Sequence, residues 1–280
     1  MMPRRPRLFG SPADIPAEYA QGGFFVGCQA WTWNQFTALE AVEKTAQAGG
    51  KVIEFFPGQK VGGSFGNTGL DQNSPPEVIS AVKAALRQHG VRAVNFGVVG
   101  MPKDAAGARK LFEFARTMGM RAITTESTDA LDTAEPLVKE FDICVAIHNH
   151  PRQPGNPNYK VWDPNYVLSQ VKSRDKRIGA CADTGHWVRS GLKPVDCIRI
   201  LKGRVISSHL KDLNKVAPEA HDVPYGTGVS DIPGILDELN KQGFDGNISV
   251  EYEHMMDKSM PMVAQCVGYV RAYGQAKGWK

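Results

Sequence analysis

From residue 24 onward the chain repeats one texture: a short β-type run, then a longer stretch with apolar residues at helical intervals. The strand-like runs are FFVGCQA (24–30), KVIEFF (51–56), VRAVNFG (91–97), AITTES (122–127), ICVAIHNH (143–150), IGACADT (178–184), VISSHLK (205–211) and NISVEYE (247–253), eight in all. Helical spacing follows each of them, over 37–48, 76–89, 104–118, 133–141, 163–172, 194–201, 231–242 and 261–276. Ser74 before Pro75-Pro76, Asp163 before Pro164, and Ser230-Asp231 before Ile232-Pro233 read as helix starts. Gly49, Gly90, Gly119, Gly203 and Gly243 read as helix ends. Eight such units without a break in composition predict one closed (β/α)8 TIM barrel over 25–280, with 1–24 as an N-terminal extension. A doubly wound open sheet is the competing arrangement, but it usually carries a glycine-rich phosphate turn after its first strand, and GCQAWTW offers none.

Composition narrows the class of function. With 42% hydrophobic and 22% charged residues in 280, the chain can bury an ordinary core. No apolar run approaches the ~18 residues of a membrane span. The net charge is only +4, and Arg4, Arg5 and Arg7 supply three of those charges, so neither a nucleic-acid surface nor a membrane partner is expected. The basic start runs into LFGSPADIPAEYAQGG, which is polar and turn-rich, and so does not read as an export signal. Five scattered cysteines without CxxC spacing point to buried thiols in a reducing cytoplasm.

Barrel strands alternate between the helix layer and the interior. In NISVEYE the apolar Ile248, Val250 and Tyr252 suit the helix layer, which turns Ser249, Glu251 and Glu253 inward. The same reading places Thr124 and Glu126, Cys181 and Asp183, Ser207, His209 and Lys211, His148 and His150, and Glu54 on inner faces, with Ile206 and Leu210 outside. Active sites of this fold sit at the C-terminal ends of the strands. Glu126, Asp183, His209 and Glu251 lie there together, and buried carboxylates are costly unless paired or bound to a cation. Three carboxylates and one imidazole make a hard site, suited to Mn2+ first, with Mg2+, Co2+ or Zn2+ as alternatives.

The blocks AITTES, CADTGHW, ISSHLKDL, PYGTG and ISVEYE, in this order and spacing, resemble the xylose-isomerase-like barrel superfamily of sugar isomerases and epimerases from about residue 25 to the end. The resemblance implies a metal held by a Glu, an Asp, a His and a Glu from strands four, six, seven and eight, here Glu126, Asp183, His209 and Glu251. It implies that Glu126 and Glu251 double as the acid and base. The expected activity is isomerisation or epimerisation of a sugar or keto-sugar, by removal of the proton α to a metal-held carbonyl through an enediolate. The first alternative is a lyase that cleaves 3-oxo-glycosides by β-elimination, with His148 in IHNHP as base. A barrel that binds carbohydrate without turnover, and a phosphodiester nuclease, stand further back. The three-metal nucleases of the superfamily need histidines on strands two and three, where this chain has Glu54 and Asn95.

The expected substrate is a small carbohydrate, contacted by His150, His186, Lys211, Glu54 and Trp31. Each has a plainer reading: a hydrogen-bonded rim pair for His148 and His150, a salt bridge to Asp212 for Lys211, loop packing for Trp31, Trp33 and Trp187. His186 and His221 read as substrate contacts or remnants of a second metal position. Gly226-Thr227-Gly228 reads as an anion cradle or a plain turn. Association into a homo-oligomer is the one protein partnership suggested.

Overall fold

The structure, a computed structural model, describes residues 14–279. Of the extension expected over 1–24, residues 1–13 lie outside the described residues. Every one of the eight strand-like runs forms a strand: β1 Phe24–Gln29, β2 Val52–Phe55, β3 Arg92–Phe96, β4 Ala122–Thr125, β5 Cys144–His148, β6 Ile178–Asp183, β7 Val205–Leu210 and β8 Asn247–Val250. Neighbours pair in parallel in chain order, and β8 and β2 both pair with β1, which closes the barrel. Closure brings β1 and β2 so near that a Cβ on Gly27 would lie 1.6 Å from the Val52 carbonyl oxygen, so only glycine fits there.

The helices are α1 Ala38–Gln47, α2 Pro76–His89, α3 Ala105–Met118, α4 Leu131–Phe141, α5 Pro164–Val171, α6 Thr184–Arg189, α7 Pro194–Ile200, α8 Ile232–Lys241 and α9 Met260–Ala276. Their apolar faces pack on the outward residues of the strands, with Val26, Ile53, Phe96, Ile123, Val145, Ile147, Ile248 and Val250 in the continuous core. Asp163 and Asp231 cap α5 and α8 as expected, accepting from the Asn165 and Gly234 amides. Ser74 does not cap α2; Pro75 holds that place, and the Ser74 hydroxyl donates to the Gly69 carbonyl instead. Helix α6 was not expected, because six residues containing a glycine show no helical period.

The floor of the barrel is closed by the described part of the extension. Ala20–Gln21 pairs antiparallel with β1, and Ile15 packs on Val52 and Val94. Arg121 spans this end, donating to the Ile206 carbonyl and pairing with Asp245. Leu210 faces the helix layer, but Ile206 packs with Ala122, Ala146 and Cys181 of the inner face. The register of β7 on β6 shifts between Val205 and Ser207, and this irregularity breaks the strict alternation.

Candidate metal centre

Four strands that neighbour one another, β5 to β8, each deliver one donor residue to the barrel mouth. His148 and Asp183 are the last residues of β5 and β6, His209 lies on β7, and Glu251 follows β8. One ligand atom of each lies within 4.8 Å of the other three. His209 Nδ1 stands 3.3 Å from Glu251 Oε2 and 3.9 Å from Asp183 Oδ2, and His148 Nε2 stands 3.6 Å from that same aspartate oxygen. A tetrahedron with bonds of ~2.0–2.1 Å has edges of roughly 3.3 Å, so the spacing suits one small divalent ion.

His148 Nε2, Asp183 Oδ2 and His209 Nδ1 are all buried and make no well-formed hydrogen bond, although the Lys211 ammonium lies 3.0 Å from Asp183 Oδ2 and Glu251 Oε2 lies 3.3 Å from His209 Nδ1. A buried polar atom left alone costs about 1–3 kcal/mol. Three such atoms converging on one point, beside Glu251, make a group that could hold a metal ion.

The chain beneath the mouth shows why these side chains hold still. Asp183 caps α6 through Oδ1, which accepts from the His186 amide at 2.8 Å, so Oδ2 is left to face the centre. Asn149 takes the Asp183 amide on its Oδ1 and donates its Nδ2 to the Asp183 carbonyl, both at 3.0 Å. Thr184 pins Lys211 in the same reciprocal way, and Thr32 joins the Val250 carbonyl to the Tyr252 amide. Each pin extends the ladder past the end of a strand. Within DTGH, Gly185 is required because a Cβ would lie 2.7 Å from the Lys211 stem.

Lys211 has no exposed surface. Its ammonium lies 2.8 Å from Glu251, 2.8 Å from Glu253 and 3.0 Å from Asp183, not beside Asp212. Burial opposes ionisation of Asp183, but His186 and Lys211 hold it well below the usual carboxylate range. Burial likewise opposes ionisation of Glu251, and Lys211 and His209 outweigh it. Arg189 continues the network to Glu253 and Asp222.

Glu126 occupies a different place from the one expected. It follows β4, one strand beyond the arc, and His148 stands between it and Asp183. Its Oε1 receives His150 Nδ1 at 2.5 Å, the Tyr159 hydroxyl at 2.9 Å, and His148 Nδ1 and the His150 amide at 3.2 Å each. Burial would raise its pKa, but the bonds from His148 and His150 lower it. For His148, burial opposes the charge, and the carboxylates of Asp183 and Glu126 raise its pKa to about 9.

The other residues expected at the site divide into two groups. His150 and His186 lie in the mouth, their rings 5.0 Å apart and each beside His148. Trp31 is 42% exposed and packs edge-on against Phe56 at 5.0 Å. Trp33 and Trp187 are buried. Glu54 lies fully buried beneath the centre, bonded to His209. His221 is stacked on His254 at 4.3 Å rather than beside His186. The cradle at Gly226 and Gly228 is filled by the chain's own Asp212, whose carboxylate accepts the Gly226, Gly228 and Ser230 amides. Glu253, Asn149 and Tyr159 were not singled out. Alternation marked Glu253 as inward, while no periodic signal marks a loop tyrosine.

A closed parallel barrel with such a mouth defines a class, and the sequence places the chain within it. Residues 42–266 match the xylose isomerase-like TIM barrel family, and the chain belongs to it. The rhizopine catabolism protein MocC of Rhizobium meliloti is 25% identical over 218 residues, 71% of this chain and 63% of that protein, so the chain spans less than two thirds of that relative. Among solved structures, an uncharacterized protein from Parabacteroides distasonis is 30% identical, with a TM-score of 0.71 over 89% of this chain and 99% of its own. A D-tagatose 3-epimerase-like protein shares the fold at 16% identity, with a TM-score of 0.69 over 91% of this chain and 100% of its own.

Proposed function

We propose that this chain is a divalent-metal-dependent isomerase or epimerase of a small sugar or keto-sugar. The convergence of His148 Nε2, Asp183 Oδ2 and His209 Nδ1, none of them in a well-formed hydrogen bond, with Glu251 at the barrel mouth carries the reading. An ion held there supplies Lewis acidity toward neighbouring carbonyl and hydroxyl oxygens of a sugar. Two nitrogens and two oxygens are a softer donor set than the three carboxylates and one imidazole expected from sequence, so Zn2+ and Co2+ stand beside Mn2+ as candidates.

In this reading His148 is a ligand, oriented from behind by Glu126. Lys211 holds Asp183 and Glu251 apart from each other's charge. Proton transfer falls to carboxylates: Glu251 inside the quartet, and Glu126, whose contacts all fall on Oε1, at the rim. One takes the proton α to the carbonyl and the other returns it, a contribution of roughly 10²- to 10⁴-fold. His150 and His186 face the same opening and suit sugar hydroxyls. Five free cysteines support a reducing compartment, and no helix among the described residues is long and apolar enough to cross a membrane.

One observation favours β-elimination from a larger glycoside. A hollow of about 410 Å³ opens in the loop after β5, lined by Arg152, Tyr159, Trp162 and Tyr166 among others, and Tyr159 joins it to Glu126. Elimination begins with the same proton removal. Incubation of the metal-loaded protein with ketoses and 3-oxo-glycosides in D2O, followed by NMR, separates the outcomes. Isomerase or epimerase action leaves deuterium on the carbon next to the carbonyl with the skeleton intact, whereas elimination releases the second sugar. Turnover with complete retention of the substrate hydrogen refutes proton transfer by these carboxylates.

A further inference from the structure

Below the quartet lies a carboxylate that reaches neither the mouth nor a substrate. Glu54, on β2, has no exposed surface. Its two oxygens are divided between two tasks. Oε1 accepts from Asn247 Nδ2 at 2.6 Å and from Ser249 Oγ at 2.7 Å. Oε2 stands 3.0 Å from His209 Nε2. His209 is itself fully buried, and its other nitrogen, Nδ1, is the one that faces Asp183 and Glu251.

We propose that Glu54 is the positioning residue of the centre: it fixes the His209 ring with the proton on Nε2, and so presents the Nδ1 lone pair to a divalent ion. The inference rests on the metal reading above. A carboxylate only accepts, so the nitrogen against Glu54 must donate; the Glu251 oxygen that faces Nδ1 is already held by Lys211 at 2.8 Å and Nδ1 makes no well-formed hydrogen bond, so the opposite nitrogen is left as the ligand. Partners of this kind raise ligand basicity and remove rotational freedom, and losing one typically weakens metal binding 10- to 100-fold.

The two donors on Oε1 make the test sharp. In Glu54→Gln the shape is kept, and Asn247 and Ser249 still demand an acceptor at the Oε1 position. The amide oxygen goes there, which points the new NH2 group at His209 Nε2. That nitrogen must now accept, the proton moves to Nδ1, and the ligand face is blocked. An isosteric change that should disturb packing least therefore disturbs the ligand most.

The experiment measures Zn2+ affinity by competition with a chromophoric chelator for the wild type, Glu54→Gln, His209→Ala and the double variant. Thermal unfolding of the metal-free proteins checks that all four fold. A loss of ~100-fold in Glu54→Gln that vanishes in the His209→Ala background is expected. A simple loss of negative charge, or a general loosening of the barrel, would weaken binding equally in both backgrounds and overturn the proposal. So would an unchanged affinity in Glu54→Gln.

A second measurement stands apart from metal binding. Long-range 1H–15N correlations on the metal-free protein, at a pH where the imidazoles are neutral, should show His209 protonated on Nε2 in the wild type and on Nδ1 in Glu54→Gln. The same tautomer in both overturns the proposal. A wild type that binds no divalent ion while the tautomer still switches refutes the metal reading and leaves the role of Glu54 standing.

Discussion

Replacing His148 by Ala, set against replacing Glu126 by Gln, decides which residue completes the centre. A structural zinc site with four ligands is worth about 10–16 kcal/mol, so an equal share is about 2.5–4 kcal/mol per ligand, or roughly 10²- to 10³-fold in affinity. The share for His148 falls toward the lower end. It is 1% exposed beside the mouth, and truncating it opens room for a water to take the fourth position. We expect a loss of ~100-fold or more for His148→Ala. For Glu126→Gln the amide oxygen can still accept from His148 Nδ1, 3.2 Å away, so only the charge behind the ligand is lost. That places it near ~10-fold, the low end of what orienting partners contribute. Isothermal titration with Zn2+ and with Mn2+ at one fixed pH, backed by elemental analysis of the purified proteins, reads both numbers. If Glu126→Gln loses the metal while His148→Ala keeps it, the arc of β5 to β8 is not the metal centre, and the quartet drawn from the sequence is restored.

Two further outcomes follow from the buried charges. Lys211→Met strands Asp183, Glu251 and Glu253 without their ammonium, which should destabilise the metal-free protein by about 3–5 kcal/mol; saturating Zn2+ should recover part of this in urea unfolding, and an equal loss with and without metal would contradict the charge argument. Burial pushes the Asp222 carboxyl up, against Lys211 and with help from Glu253, to about 7. Its folded pKa thus exceeds its unfolded one, so its contribution to stability is full below about pH 4 and lost as pH rises toward 7, at up to about 1.4 kcal/mol per unit. In urea unfolding Asp222→Asn should therefore gain on the wild type across that window, and parallel pH profiles would refute the assignment.

The barrel was legible because each strand is an apolar run bounded by turn residues, and each inner-face reading needed only period two. Asp183, His209 and Glu251, which that reading turns inward, lie together at the mouth, and the donor beside them is His148 rather than Glu126. Adjacent strands lie about 4.8 Å apart, so donors that share an ion come most easily from neighbouring strands. A quartet from strands four, six, seven and eight leaves out β5, although alternation turns His148 inward as well. Depth and arc depend on closure and stagger, which no single strand records. The β7 irregularity that turned Ile206 inward, and Asp212 filling the glycine cradle, are equally invisible to periodicity. One is a register event between two strands and the other a contact across a loop.

The charge arrangement also bears on how many ions the mouth holds. His186, Glu251 and Glu253 form a second cluster of donor atoms within 4.8 Å, which by itself would invite another cation. The Lys211 ammonium, however, already lies 2.8 Å from both of those glutamates, and Arg189 lies 3.2 Å from Glu253 and 3.0 Å from His186. A second divalent ion would have to displace a fully buried lysine whose stem is wedged against Gly185. Burial and the nearby Lys211 charge, against the pull of Asp183, also keep His186 well below the usual imidazole range. Asp183 and Glu251 then balance one dication, while Lys211 and Arg189 lie against Glu253 and Asp222. On the proposed proton-transfer reading the hydrogen leaves carbon as a proton carried by a carboxylate, so turnover in D2O is expected to exchange it, and complete retention of the substrate hydrogen would overturn that reading and point to a second ion.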